Sequence, residues 1–233
     1  MNILKFCLLI LCLTYNINGF KIFAGSTGLY FPYTLGALGY IKTVIKPKNI
    51  EFTGISGGSW CSLIYLLEDK MSDHDSLWFS IIGNSTISVN FLDNISMDTF
   101  HKTITKNIRN KYKVTNHNLP LSIVATKVSC GIPQNVKISK FNDFDDIINL
   151  CSCSSYIPLI SGKKLYKDYQ NEKYIDGALF LDKKNIQNNT IHIDRFAWNT
   201  RKNSKNIMFL NMNISRKLFQ QGWEDAKQNI KLS

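Results

Sequence analysis

Residues 49–67 read NIEFTGISGGSWCSLIYLL, an apolar strand pattern and an apolar helix pattern joined by little more than serine and glycine. Ile50 to Ile55 form the short run expected of a strand. Trp60, Leu63, Ile64 and Leu67 recur at helical spacing. Between the two, the chain must turn within Ser56-Gly57-Gly58. Glycine tolerates the unusual backbone angles of such a turn, and Gly54 and Gly58 flank the serine on either side. The turn lifts the Ser56 side chain above the sheet edge. The helix behind it aims its first N–H groups at the same spot, where they stabilise an oxyanion. G-x-S-x-G between a strand and a helix is the setting that a nucleophilic serine requires. The plainer alternative is three small residues where a strand becomes a helix.

The same alternation continues outward. FKIFAG (20–25) is a short strand, STGLYF is a loop, and Pro32 suits the first turn of a helix that carries Leu35, Leu38, Ile41 and Ile45. Strand, helix, strand, helix in this order predicts an α/β fold with a mostly parallel central sheet covered on both faces. Downstream, 76–94 is apolar but irregular. Phe100, Ile104, Ile108 and Tyr112 mark a helix; LPLSIVATKV (119–128) and VKIS (136–139) are strands; Phe144, Ile147 and Ile148 mark another helix. KYIDGALF (173–180) reads as a strand interrupted by an Asp-Gly turn, NIMFLNM (206–212) as a late strand, and Leu218, Phe219, Ala226 and Ile230 as a closing amphipathic helix. The 233 residues, 44% hydrophobic and without long linkers or repeats, are enough for one packed domain over 20–233.

Residues 1–19, MNILKFCLLILCLTYNING, have the layout of a secretory signal peptide: Lys5 near the start, an apolar run from Phe6 to Leu13, then small and polar residues. The run is short for a membrane span, and a buried first strand or helix is the alternative. A signal would place the chain in the secretory lumen or outside the cell. The sequons at Asn84, Asn94, Asn188 and Asn213 would then accept glycans. Cys61, Cys130, Cys151 and Cys153 remain beyond it, as disulfides or as buried thiols. Cys-Ser-Cys at 151–153 lacks the spacing of a zinc site, and no metal or cofactor is implied. The net charge of +11 favours anionic partners such as a phospholipid surface. The lysines are scattered and no aromatic-basic motif appears, so no nucleic-acid partner is expected.

A serine nucleophile needs a base. His74 lies in the polar stretch MSDHDS, His101 and His117 fall at expected surface positions, and His192 in TIHID is the one histidine on a candidate strand. Ser56, Asp176 and His192 follow the hydrolase order of serine, acid, histidine. The alternative is Asp176 acting directly as the base. It follows Tyr174-Ile175 and precedes Gly177 in a tight turn, although Asp-Gly is also an ordinary turn dipeptide. A carboxylate of ordinary pKa, about 4, is a weak base at neutral pH, so a dry pocket must compensate.

Taken together, GISGGSW, the stretch LCSCSSYIPLISGKKLYKDYQNEKYIDGALFLD, the segment LPLSIVATKVSCGIPQNVKISKFND and FQQGWEDA near the end resemble the patatin-like phospholipase family. They are similar in particular to its animal triacylglycerol-lipase branch and to the related cytosolic phospholipases. The likeness runs from about Phe20 to Ala226. It implies a three-layer α/β/α fold and a catalytic dyad of Ser56 and Asp176 with no histidine. It also implies an oxyanion hole from the N–H groups around Gly25, Ser26 and Gly28. AGSTGLYFPY departs from the family's adjacent glycines, since Ser26 and Thr27 separate Gly25 from Gly28, and the usual Asp-Gly-Gly is Asp-Gly-Ala.

The implied substrate is a phospholipid or an acylglycerol met at a membrane or lipid interface, cleaved through an acyl-enzyme. Tyr30, Phe31, Trp60, Pro158 and Leu159 are candidates to line an acyl channel or to fill the core. Trp78, Phe79, Ile82, Phe91 and Leu92 are candidates for a lid, with core packing the favoured use. Lys163, Lys164 and Lys167 either hold a phosphate headgroup or line a solvated loop. A non-catalytic lipid-binding protein on the same fold is the rival expectation.

Overall fold

The computed structural model describes residues 19–82, 88–112, 118–181, 190–194, 198 and 208–230. β1 (Phe20–Ala24) leads through a 3-10 turn (Gly28–Tyr30) into α1 (Phe31–Tyr40), which has Pro32 in its first turn. A π-helical turn, Ile41–Ile45, extends α1 until Lys46 enters the left-handed region at φ 51 and closes it with its N–H on the Ile41 carbonyl, 2.9 Å away. β2 (Ile50–Ile55) passes directly through Ser56 into α2 (Gly57–Leu67).

The rest of the chain forms α3 (His74–Ile82), β3 (Val89–Asn90), α4 (Asn94–Lys111), β4 (Leu121–Ser129), β5 (Ile132–Ile138) and α5 (Phe144–Ser154). β6 (Lys167–Tyr169), β7 (Glu172–Ile175), β8 (Ile191–Ile193), β9 (Phe209–Leu210) and α6 (Met212–Asn229) complete it. Three helices start on a side-chain cap: Asp93 for α4, Asp143 for α5 and Asn211 for α6 each accept an N–H of the first turn. Such caps contribute about 1 kcal/mol apiece.

The protein is α/β, with a mostly parallel central sheet flanked by helices in keeping with a three-layer α/β/α domain. β8, β1, β2 and β4 lie side by side and parallel. β5 pairs antiparallel along β4 from Ile123 to Ser129. The opposite edge of β4 is shared. β2 occupies Leu121 to Val124, and β7, running antiparallel, occupies Thr126 to Val128. β2 and β7 therefore meet nearly end to end beside Ala125.

Alternation along each strand sends side chains to opposite faces. Ile22, Phe52 and Ile123 join the large core with Leu38 of α1, Ile64 of α2 and Phe219 of α6. Each such burial contributes about 1.5–3 kcal/mol. Phe23, Ile55 and Val124 form a smaller cluster on the other face with Ala178 and Leu181.

Several expectations change. The run 173–180 is a strand only to Ile175; Gly177–Phe180 form a 3-10 turn because the Asp176 carboxylate accepts the Ala178 N–H at 2.8 Å. The strand expected at 136–139 starts earlier, at Ile132, and forms a hairpin with β4 through Cys130 and Gly131, both at positive φ. In the irregular apolar segment, Leu77, Trp78, Ile81 and Ile82 are core residues of α3, while Phe79 and Leu92 are exposed. Of the run expected at 206–212, the described part 208–212 is strand at Phe209–Leu210, which pairs with β3 apart from the main sheet. The signal-like segment up to residue 18, His117 and the sequons at Asn84 and Asn188 lie outside the described residues.

Candidate active site

Ser56 sits between β2 and α2 at φ 55, ψ −133. A non-glycine residue is rarely held there, at about 1–3 kcal/mol, and the surroundings enforce it. Its N–H donates to Ser154 Oγ at 2.8 Å, and Ser154 Oγ donates in turn to the Val124 carbonyl at 2.6 Å. Its carbonyl takes the Ser59 N–H at 3.0 Å and the Ser59 hydroxyl at 2.7 Å. Gly54 and Gly58 let the backbones close around the turn: a Cβ on Gly54 would lie 2.5 Å from Ser59 Cα, and one on Gly58 would lie 2.1 Å from the Ala24 carbonyl oxygen.

The strand register brings Asp176 alongside. Ile55 is paired with Val124 and Ile175 with Thr126, so the next residue of each strand enters the gap beside Ala125. Ser56 Oγ donates to Asp176 Oδ2 at 2.5 Å, the length of a charge-assisted O–H···O⁻ bond. The other carboxylate oxygen holds the Ala178 N–H. The backbone of Asp176 is pinned as well. Its N–H donates to the Tyr156 carbonyl at 2.7 Å, and its carbonyl accepts from Thr126 Oγ1 at 3.1 Å. Gly177 is required next to it, because a Cβ there would come within 2.3 Å of the Val124 carbonyl oxygen. Asn135 of β5 ties the turn down through hydrogen bonds to the Gly177 carbonyl and to Thr126 Oγ1.

Ser56 is 4% exposed and Asp176 2%. Burial pushes the Asp176 carboxyl up to about 6, against the opposing pull of the hydrogen bonds from Ser56 and Ala178. A carboxylate that titrates near 6 is a far better base at neutral pH than one near 4.

The expected oxyanion donors divide. The Gly25 N–H donates to the Ile193 carbonyl at 2.9 Å, continuing the β1–β8 ladder, and is withheld from any oxyanion. Ser26 lies half-buried in the following turn. Gly28, at φ 49, comes up to the start of α2: a Cβ on Gly57 would lie 3.7 Å from Gly28 N and 2.1 Å from Thr27 Oγ1. Gly57 is the first residue of its helix, so its own N–H has no intrahelical acceptor. Gly57, Thr27 and Gly28 thus converge beside Ser56. The Gly57 N–H is one of the first helix N–H groups expected from the sequence, whereas Ser154 and Thr27 carry no pattern of their own there beyond the small-residue run around Ser154.

No protein-family model matches the chain, and no curated protein does.

His192 stands on β8 with its ring against Phe23 of β1, the centroids 5.4 Å apart. Among the described residues it makes no hydrogen bond to Asp176 or Ser56, whose polar atoms are engaged with each other and with Ala178. His74 is buried rather than solvated. Its ring stacks on Trp78, Nε2 bonds Ser215 Oγ at 2.8 Å and Nδ1 bonds Asp75 at 3.2 Å. In that Asp75–His74–Ser215 chain the Ser215 end is fully buried between α3 and α6, while Asp75 reaches the surface and pairs with Arg216 at 2.8 Å.

Phe31 and Trp60 pack in the core, Trp60 with its indole N–H on Ser155 Oγ at 3.0 Å, and Leu159 is exposed. Lys163 and Lys164 are exposed, Lys164 near Asp168 at 3.3 Å, whereas Lys167 turns inward to Ser152 Oγ. Cys61, Cys151 and Cys153 are buried thiols and Cys130 is an exposed one. Among the described residues there is no cluster of three potential metal ligands and no helix long and apolar enough to cross a membrane.

Proposed function

We propose that the chain is a serine hydrolase of carboxylic esters, acting on phospholipids or other acyl lipids through a Ser56–Asp176 dyad in the manner of the patatin-like phospholipases it resembles. The observation that carries this is the 2.5 Å hydrogen bond from Ser56 Oγ to a buried carboxylate, made by a serine at positive φ on a strand-to-helix turn. Ser56 Oγ attacks the ester carbonyl while its proton passes to Asp176. The tetrahedral oxyanion is met by the N–H groups of Gly57 and Gly28. Its collapse breaks the C–O bond, and Asp176 returns the proton to the leaving alcohol. Water then attacks the acyl-enzyme with Asp176 as base, fatty acid leaves, and the proton returns to Ser56.

A lipid substrate is supported by the net charge of +11 and by two apolar side chains next to the base, Leu179 and Phe180, which are 50% and 52% exposed one turn after Asp176. Interfacial binding uses such surfaces. The 4% exposure of Ser56 favours the rival, a lipid-binding protein that does no chemistry. Release of fatty acid from phospholipid vesicles separates the two. The native protein is expected to release it, Ser56→Ala and Asp176→Asn to lose the activity, and His192→Ala to keep it within a few-fold. No release by the native protein would leave the binding role, and a large loss with His192→Ala would restore a triad.

A further inference from the structure

Behind the dyad, on the far side of the last turn of α5, lies a cavity of about 420 Å³ between α4 and α5, lined by neither Ser56 nor Asp176. Its charged walls are unbalanced. Lys102, Lys106 and Arg109 of α4 and Lys167 of β6 face it, against the single carboxylate of Asp98. Asp98 is held by Lys102 at 2.5 Å, and Arg109 by Asp145 at 2.7 Å. Lys106 and Lys167 have no acidic partner within ion-pair distance among the described residues. Lys167 is half-buried and donates to Ser152 Oγ, a neutral group. An ammonium drawn out of water without a counter-charge is costly, and an anion beside it removes that cost.

The remaining walls suit phosphate oxygens. Asn149 and Ser152 present neutral polar side chains. His101, pushed down to about 4 by burial and then by Lys167, is neutral at physiological pH and adds a ring N–H as an uncharged donor.

We propose that this cavity binds a phosphate-bearing anion, with Lys167 and Lys106 as its cations and Ser152 as a neutral partner. Its floor is shared with the dyad. Tyr156 lines the cavity while its carbonyl holds the Asp176 N–H, and Ser154, two residues after Ser152, holds the Ser56 N–H. The site does not depend on ester hydrolysis, and a binding measurement tests it separately from the dyad.

Isothermal titration of the whole chain with inorganic phosphate and, in a second arm, with glycerol 3-phosphate tests it. Saturable binding of either ligand is expected. Lys167→Gln and Lys106→Gln should each weaken it at least tenfold, and Lys163→Gln, an exposed lysine outside the cavity, should change it less than twofold. Tighter binding of glycerol 3-phosphate would assign the site to a headgroup, and equal or tighter binding of phosphate to the free anion. Thermal melts check that the variants fold, and Lys106, exposed on α4, is removable without disturbing the core. No saturable binding in either arm overturns the proposal. So does binding that both cavity variants retain, or a loss shared equally by Lys163→Gln.

Discussion

Ser56 and Asp176 enter one gap on the edge of β4 from opposite directions, one at the end of a parallel strand and the other at the end of an antiparallel strand. Their contact is fixed by backbone pairing on both sides and does not rely on flexible side chains reaching across a cleft. That is the preorganisation that a two-residue catalytic unit needs.

Activity should follow the protonation of Asp176. The base form is required and burial sets its pKa near 6, so kcat/KM should rise with pH along a single-proton limb centred close to 6. At pH 5 the rate is expected to be roughly one tenth of the plateau. A pH–rate profile with its limb near 4 would remove the buried carboxylate from the role of base.

The same burial strains the fold. The folded protein keeps the Asp176 proton up to about pH 6, whereas the unfolded chain releases it near 3.8. Between these values unfolding frees a proton, so this group's contribution to stability falls as pH rises, and the full deficit stands above pH 6. Two pKa units correspond to about 3 kcal/mol. Asp176→Asn keeps the shape without the charge. It should melt several degrees above the native protein at pH 7.5, with the difference closing towards pH 4. Melting curves at the two pH values check it.

Ser154 deserves a mutation although it touches no substrate position. Ser154→Ala leaves the buried Ser56 N–H without its 2.8 Å acceptor, a loss of about 1–3 kcal/mol. Because that bond holds the turn at positive φ, kcat should fall at least tenfold with KM little changed. Denaturant titration and steady-state kinetics on the same preparation measure both.

Thiol reactivity should separate the cysteines. Burial pushes Cys151 and Cys153 up to about 12 and Cys61 well above the usual thiol range, while Cys130 lies exposed in the β4–β5 turn. Brief alkylation of the native protein followed by peptide mapping should modify Cys130 and spare Cys61, Cys151 and Cys153 until denaturant is added.

The parts of this arrangement that rest on local pattern were legible in the sequence. Glycine on both sides of Ser56, with strand spacing before and helix spacing after, defines the turn without further information. Asp176 was a different matter. Asp-Gly is an ordinary turn signal, and only its likeness to a family pattern raised it; its pKa comes from burial by residues distant in sequence. Gly25 is another such case. Its N–H is claimed by the Ile193 carbonyl, a pairing across more than 160 residues that composition does not encode. Residues 177–180 continue the apolar run of β7 past the Asp-Gly pair, yet the Asp176 cap and Asn135 fold them into a 3-10 turn. His74 sits in a polar run, and its burial against Trp78 and Phe219 exists only once α6 packs on α3.

The claim that Ser56 is a nucleophile activated by Asp176 is tested most directly by covalent capture with a fluorophosphonate. Ser56 Oγ should form the P–O bond and expel fluoride, giving a single adduct that peptide mapping places on Ser56. Ser56→Ala should give none, and Asp176→Asn should react at least a hundredfold more slowly. An adduct on another residue, or one that forms at the native rate in Asp176→Asn, would contradict it.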